Sequence, residues 1–157
     1  MKKSHEPSPD LAAVPPSAYE IRALDELRAS GYRITMPRVQ VIRALATAEV
    51  ALSAYAIHER IRRTGGKIDV VSVYRILETL QELRLVLHVG IADGYVACEP
   101  LDSEVWSSAV IVNQSSRVVH RHDPSQGLVD QIAATCRIEG FEPIEIKIEV
   151  LGTAITS

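Results

Sequence analysis

The stretch DVVSVYRILETLQELRLV, residues 69–86, decides how the chain is read. Val73, Ile76, Leu77, Leu80 and Leu83 recur at intervals of three and four, the spacing of an apolar stripe on one helix face. Asp69 stands where a helix N-cap belongs, its carboxylate within reach of the first orphan amides. Ser72, Tyr74, Arg75 and Thr79 fall on the other faces. A helix that only fills a core does not need two hydroxyls, a phenol and a guanidinium close to its start.

Upstream, three more helices are legible. PSAYEIRALDELRASG (16–31) puts Ile21, Leu24 and Leu27 on one stripe and stops at Ser30–Gly31. TMPRVQVIRALATAE (35–49) opens with Thr35 as N-cap and Pro37 in the first turn, where its missing N–H costs nothing. Its stripe is Val41, Ile42 and Leu45. SAYAIHERIRRTGG (53–66) is capped by Ser53, carries Ile57 and Ile61 one turn apart, and ends at Gly65–Gly66. His58, set among charges, reads as solvated.

Downstream the period changes. LVLHV and YVACE flank GIADG, two short strands around a turn at Asp93–Gly94. AVIVN and RVVHR read as a second hairpin. The next helix takes Asp123 as N-cap, Pro124 at its first position and Gln126 closing a capping box. Leu128, Ile132 and Cys136 form its stripe, which makes Cys136 a small buried thiol. In FEPIEIKIEVLG (141–152), Ile144, Ile146, Ile148 and Val150 alternate with Glu145, Lys147 and Glu149, as in a half-buried antiparallel strand. The expected fold is α+β. A Pro- and Ser-rich disordered arm (1–16) precedes a winged helix-turn-helix (17–99), and a small β-β-α-β domain (100–157) follows.

Charge divides along the same line. The chain of 157 residues carries a net charge of −3. Residues 16–90 hold 11 Lys/Arg against 8 Asp/Glu, and residues 91–157 hold 4 against 10. A phosphate backbone is attracted by the first half and repelled by the second. No apolar run approaches a membrane span and no signal-peptide core opens the chain, so the expected location is cytoplasmic. Two cysteines exclude a disulfide framework. No Ser/His/Asp set, carboxylate pair or glycine-rich phosphate loop is visible, so no enzyme is expected.

In a winged helix the last helix before the wing lies in the DNA major groove. That answers the question raised by residues 69–86. The apolar stripe seats the helix, and the opposite face must reach bases and phosphates. Arg75 can bond guanine or phosphate, Ser72 and Thr79 either, and Tyr74 a thymine methyl or phosphate. The reading from another class is a protein-interaction module that keeps this fold, no longer binds DNA, and meets a partner through its acidic half.

GYRITMPRVQVIRAL (31–45), LSAYAIHERI (52–61) and VVSVYRILETLQELRLV (70–86) together resemble the DNA-binding half of the ferric uptake regulator family of bacterial metal-responsive repressors. The family's G-x-[KR]-x-T-x-x-R, L-S-A and [ST]-V-Y-R-x-L patterns occur in order. The resemblance implies a double-stranded DNA operator as partner, with Tyr74 and Arg75 as DNA contacts and Arg33 and Arg38 near the backbone. It also implies that residues 104–152 make a homodimer.

The family's metal ligands are poorly represented. Val105, Trp106, Ser107, Ser108 and Ala109 align with its His/Asp cluster, Val112 and Ser115 with its first C-x-x-C, and Ile146 with its last-strand His. Ala51, Val89 and Ala97 replace further ligands. A four-cysteine structural zinc needs four thiolates, and Cys98 and Cys136 are the chain's two cysteines. The remaining candidates are His88, His120, His122 and Asp123, with Asp102 and Glu104 nearby. They could hold one divalent ion, zinc or iron, per subunit. The competing reading is a pair of solvent-facing strand histidines beside a capped helix. Cys98, before Glu99 and Pro100, could ligate haem as a Cys near Pro, or sense oxidants if exposed.

Overall fold

The computed structural model describes residues 15–98 and 106–155. The arm to residue 14, and Glu99, Pro100, Asp102, Glu104 and Val105, lie outside the described residues. In order, the elements are α1 (Ala18–Ala29), α2 (Met36–Ala46), α3 (Ala54–Arg63), α4 (Val70–Glu82), β1 (Val86–Val89), a 3-10 turn (Gly90–Ala92) and β2 (Gly94–Ala97). β3 (Trp106–Asn113), β4 (Val119–His122), α5 (Gln126–Ile138) and β5 (Glu145–Gly152) follow. Among the described residues, no helix is long and apolar enough to cross a membrane.

The caps form where residue type dictates. Ser17, Ser53 and Asp69 each accept the amide three residues on, from Glu20, Ala56 and Ser72. Thr35 has the extended backbone of an N-cap but makes no side-chain capping bond. The buried positions of α2, α3 and α4 are those of the expected stripes: Val41, Ile42 and Leu45; Ile57 and Ile61; Val73, Ile76, Leu77 and Leu80. They form one cluster with Tyr19, Ala23 and Leu27 of α1. On α1 the stripe is rotated. Tyr19, Ala23 and Leu27 are buried, and Ile21 faces solvent. Tyr19 turns inward because its hydroxyl donates to the carbonyl of Leu85 (2.7 Å), a bond that no helical period announces.

β1 and β2 pair antiparallel as the wing. Leu52 adds a third strand segment, exchanging backbone bonds with Tyr95 at 3.0 and 2.8 Å. Gly94 makes that crossing possible, because a Cβ there would stand 2.9 Å from the carbonyl carbon of Ala51. The other face of the wing, Leu87, Val89, Val96 and Cys98, packs on Trp106, Val110 and Val112 of β3. The two halves of the chain therefore share a core.

The second sheet has the order β4-β3-β5. β4 is antiparallel to β3, whereas β5 is parallel to it, with Ile146 beside Ser107 and Val150 beside Ile111. This corrects the antiparallel expectation. Alternation reports one buried face and carries no information on direction, and α5 returns the chain so that β5 re-enters parallel. The start of α5 also differs. Ser125, not Asp123, is the N-cap, accepting from Leu128 N, and Gln126 bonds Asp130 instead of closing a box. The Ser125 hydroxyl reaches the Leu128 amide three residues on, so the helix starts two residues later than expected. The buried row of α5 is Val129 and Ala133, set against Ile146, while Leu128 stays exposed and Cys136 half-buried. Small side chains let the helix approach the sheet; Leu128 is left outward, while Ile132 packs at the margin of the cluster.

Candidate nucleic-acid interface

The polar face of α4 begins at its cap. Asp69 accepts two bonds from Ser72, through the amide (2.9 Å) and the hydroxyl (2.6 Å). These bonds, the hydroxyl's first, hold the Asp69 carboxyl below the usual aspartate range. Ser72's proton is thus committed to the cap, and the Thr79 hydroxyl donates to the Arg75 carbonyl at 3.1 Å. Both hydroxyls reach outward only as acceptors. Tyr74 and Arg75 differ. Both are exposed one turn inside α4, and the guanidinium of Arg75 has no ion-pair partner among the described residues. The wing adds Tyr95, whose hydroxyl is pushed above its usual range by burial first and then by the nearby Tyr74 and Glu78.

Cations lie at both ends of α4. Arg38 donates to the carbonyl of Arg33 and stacks over Tyr32, 5.2 Å from the ring centre. Tyr32 in turn donates to Glu82 at 3.3 Å, which places this loop at the C-terminal end of α4. That end is on the order of 12 Å along the axis from Tyr74. Arg33 is exposed, whereas Arg38 is half-buried and shapes the loop. At the other end Arg62 and Arg63, in the last turn of α3, and Lys67, on the α3–α4 connection, are exposed. These three went unassigned in the sequence reading, although the run HERIRRTGGKID carries its own signal in four cations over eight residues. Arg60 is tied to the Thr47 hydroxyl at 2.9 Å, and Arg62 shares Glu59 at 3.1 Å. His58 is not solvated as expected. Its Nδ1 is enclosed without a hydrogen bond, 3.4 Å from Glu59, and its ring centre is 6.2 Å from that of Tyr55.

The candidate metal ligands stand apart. His88, on β1, is half-buried with its ring edge-on to Tyr95 at 4.9 Å. His120 and His122 are exposed on β4, opposite Ile111 and Ala109, and Asp123 follows them. His122 and Asp123 rim a cavity of about 220 Å³ with Cys98, Trp106 and Arg121, whereas His88 lines a different hollow beside Glu82 and Lys147. Among the described residues no group of three or more His, Cys, Asp or Glu side chains is placed to hold a metal ion. The family-aligned positions are filled by packing: Trp106, Val112 and Ile146 are buried. Cys98 is also buried, between the wing and β3, and offers no exposed thiol.

The model of the ferric uptake regulator family matches residues 29–151. The chain belongs to this family. Its members are transcriptional regulators, not enzymes. The ferric uptake regulation protein of Pseudomonas aeruginosa is 30% identical over 79 residues, which cover 50% of this chain and 59% of that protein. The zinc uptake regulation protein of Escherichia coli is 27% identical over 109 residues, 69% of this chain and 63% of that one. The chain thus spans less than two thirds of either relative. A solved zinc uptake regulator in complex with zinc and DNA superposes with a TM-score of 0.77 at 23% identity, over 88% of this chain and 94% of the other. That likeness speaks for the fold: a winged helix joined to a small α/β domain. Members of the ferric uptake regulator family bind zinc, iron or manganese. The donor set here does not fit a four-cysteine zinc site, since two thiols cannot supply four ligands.

Proposed function

We propose that the chain is a sequence-specific DNA-binding regulator of transcription, acting as a repressor, that binds its operator as a homodimer and whose response to metal is reduced. The observation that carries this reading is the placement of Tyr74 and Arg75. Both are exposed on α4 opposite its buried stripe, with cations beyond each end of the helix. Operator affinity, measured by fluorescence anisotropy on a selected site, falls by roughly 1–3 kcal/mol for Arg75→Ala or Tyr74→Ala. Arg63→Ala and Lys67→Ala weaken binding evenly across sequences and lower its salt dependence. Parental affinity in both α4 variants would remove the recognition-helix assignment.

The homodimer reading rests on the outer side of the sheet half. β5 is an edge strand, and Ile138, Phe141 and Ile144 crowd the α5–β5 connection at 82%, 70% and 85% exposure. An edge with apolar flanks invites a second copy. One winged helix makes few contacts, and two in successive grooves multiply them. The proposal on metal rests on the scattered His88, His120, His122 and Asp123. Operator affinity then stays constant on chelation and on zinc addition, in parent and in His120→Ala/His122→Ala protein alike. A zinc response lost in the double variant would establish the site instead.

A further inference from the structure

The wing is a hairpin whose tip is a single 3-10 turn. Val89, at the N-cap of that turn, provides no side-chain bond, so the amides of Gly90 and Ile91 need an outside acceptor. They find one 59 and 58 residues on: Glu149 Oε1 accepts from Gly90 at 3.0 Å and Oε2 from Ile91 at 2.9 Å. One carboxylate thus closes both orphan donors, one oxygen each, through charge-assisted bonds.

The neighbours of Glu149 continue the pattern. Lys147 Nζ donates to the carbonyl of His88 at 2.9 Å and stands 4.0 Å from Glu149. Arg117 donates to the carbonyl of Ile91 at 3.3 Å, and Arg121 to that of Ala97. All four side chains come from the sheet half, and every bond ends on the main chain of the wing. The apolar contacts hold the strands through Leu87, Val89, Val96 and Cys98. At the tip, polar bonds do the holding, and the Ile91 side chain is left outward at 40% exposure. β5 can supply these groups because its odd-numbered residues share the side of the sheet that Trp106 and Val110 turn to the wing.

We propose that Glu149, assisted by Lys147, is the positioning residue of the wing, fixing the Gly90–Ala92 turn at the angle from which it meets the DNA beside α4. Its consequence for affinity rests on the DNA-binding reading above. The position of the tip is then set from the other half of the chain, and any movement of β5 is passed to the wing.

Two readouts on the full-length protein separate this idea from the reading beneath it. The first is amide hydrogen exchange without DNA. Glu149→Ala speeds exchange at Gly90 and Ile91 at least tenfold and leaves the α4 amides protected, which also shows that the variant folds. Glu149→Gln, which keeps one neutral acceptor, falls between. The second is operator affinity, which drops threefold to tenfold in Glu149→Ala, less in Glu149→Gln, with Arg75→Ala as reference. Unchanged exchange at Gly90 and Ile91 would overturn the proposal. So would faster exchange with unchanged operator affinity while Arg75→Ala still weakens binding. If Arg75→Ala binds like the parent, the DNA reading fails, and the exchange data alone decide whether Glu149 holds the turn.

Discussion

In the helical half, α1 to α4 bury Leu27, Ile42, Leu45, Ile57, Leu77 and Leu80 almost completely in one cluster, closed at its base by Leu85 and Val86. Under α5 the corresponding cluster is Val129, Ala133 and Ile146, with Ile132 and Ile148 at its margin. The larger apolar residues of that region, Leu128, Ile138, Phe141 and Ile144, point away from it. One half completes its core within the chain. The other spends its large side chains on its outside. A polar difference runs parallel. In the helical half Glu20 is buried and paired with Arg43 at 2.7 Å, whereas Arg137 and Glu142 pair in the open at 2.6 Å. The contrast teaches that the helical half holds its own shape, while the sheet half leaves large apolar side chains open to solvent and, through Glu149 and Lys147, bonds the main chain of the wing.

The largest effect expected from this contrast is Leu77→Ala. Removing a fully buried side chain from the closed cluster costs about 2–5 kcal/mol, read as a shift in the urea midpoint. Ile138→Ala, outside any cluster, leaves the monomer within about 0.5 kcal/mol. Equal costs for the two would erase the distinction between the halves.

A smaller effect is expected at the outer side of the sheet half. Ile144→Glu or Phe141→Glu weakens self-association tenfold or more by sedimentation or light scattering, with α1 to α4 still folded by circular dichroism. Exhaustive chelation leaves self-association unchanged, because the buried Val112 and Ile146 offer no metal donor atom. Monomers after chelation would put a metal back into the assembly.

The smallest concerns the cap of α4. Since the folded Asp69 carboxyl titrates below its unfolded value, its contribution is complete above the ordinary aspartate range and is lost as pH falls through the lower folded value. The difference in melting temperature between parent and Asp69→Ala is therefore steady from pH 7 to about 5 and shrinks below about pH 4. A difference that grew on acidification would mean that the charged cap does not stabilise the helix.

Local chemistry made most of the helical half readable in advance. Ser53 and Asp69 cap where a short oxygen side chain can reach the third amide on, Gly31 and Gly65 sit at positive φ past their helices, and the α4 stripe needs only its own spacing. The same spacing exposed Tyr74 and Arg75. The family motifs lie in this half for the same reason, since a helix start and an exposed helix face are short-range patterns. Two cysteines cannot furnish the four thiolates of a four-cysteine zinc site, a matter of composition alone. Other matters waited for the tertiary structure: the parallel sense of β5, the rotation of α1 and α5, the separation of His88 from His120 and His122, and the bonds from Glu149 to Gly90 and Ile91. Each depends on a partner far along the chain. Periodicity states which residues share a face. It is silent on what that face meets, because the bond between Glu149 and the wing exists only once the sheet has closed over it.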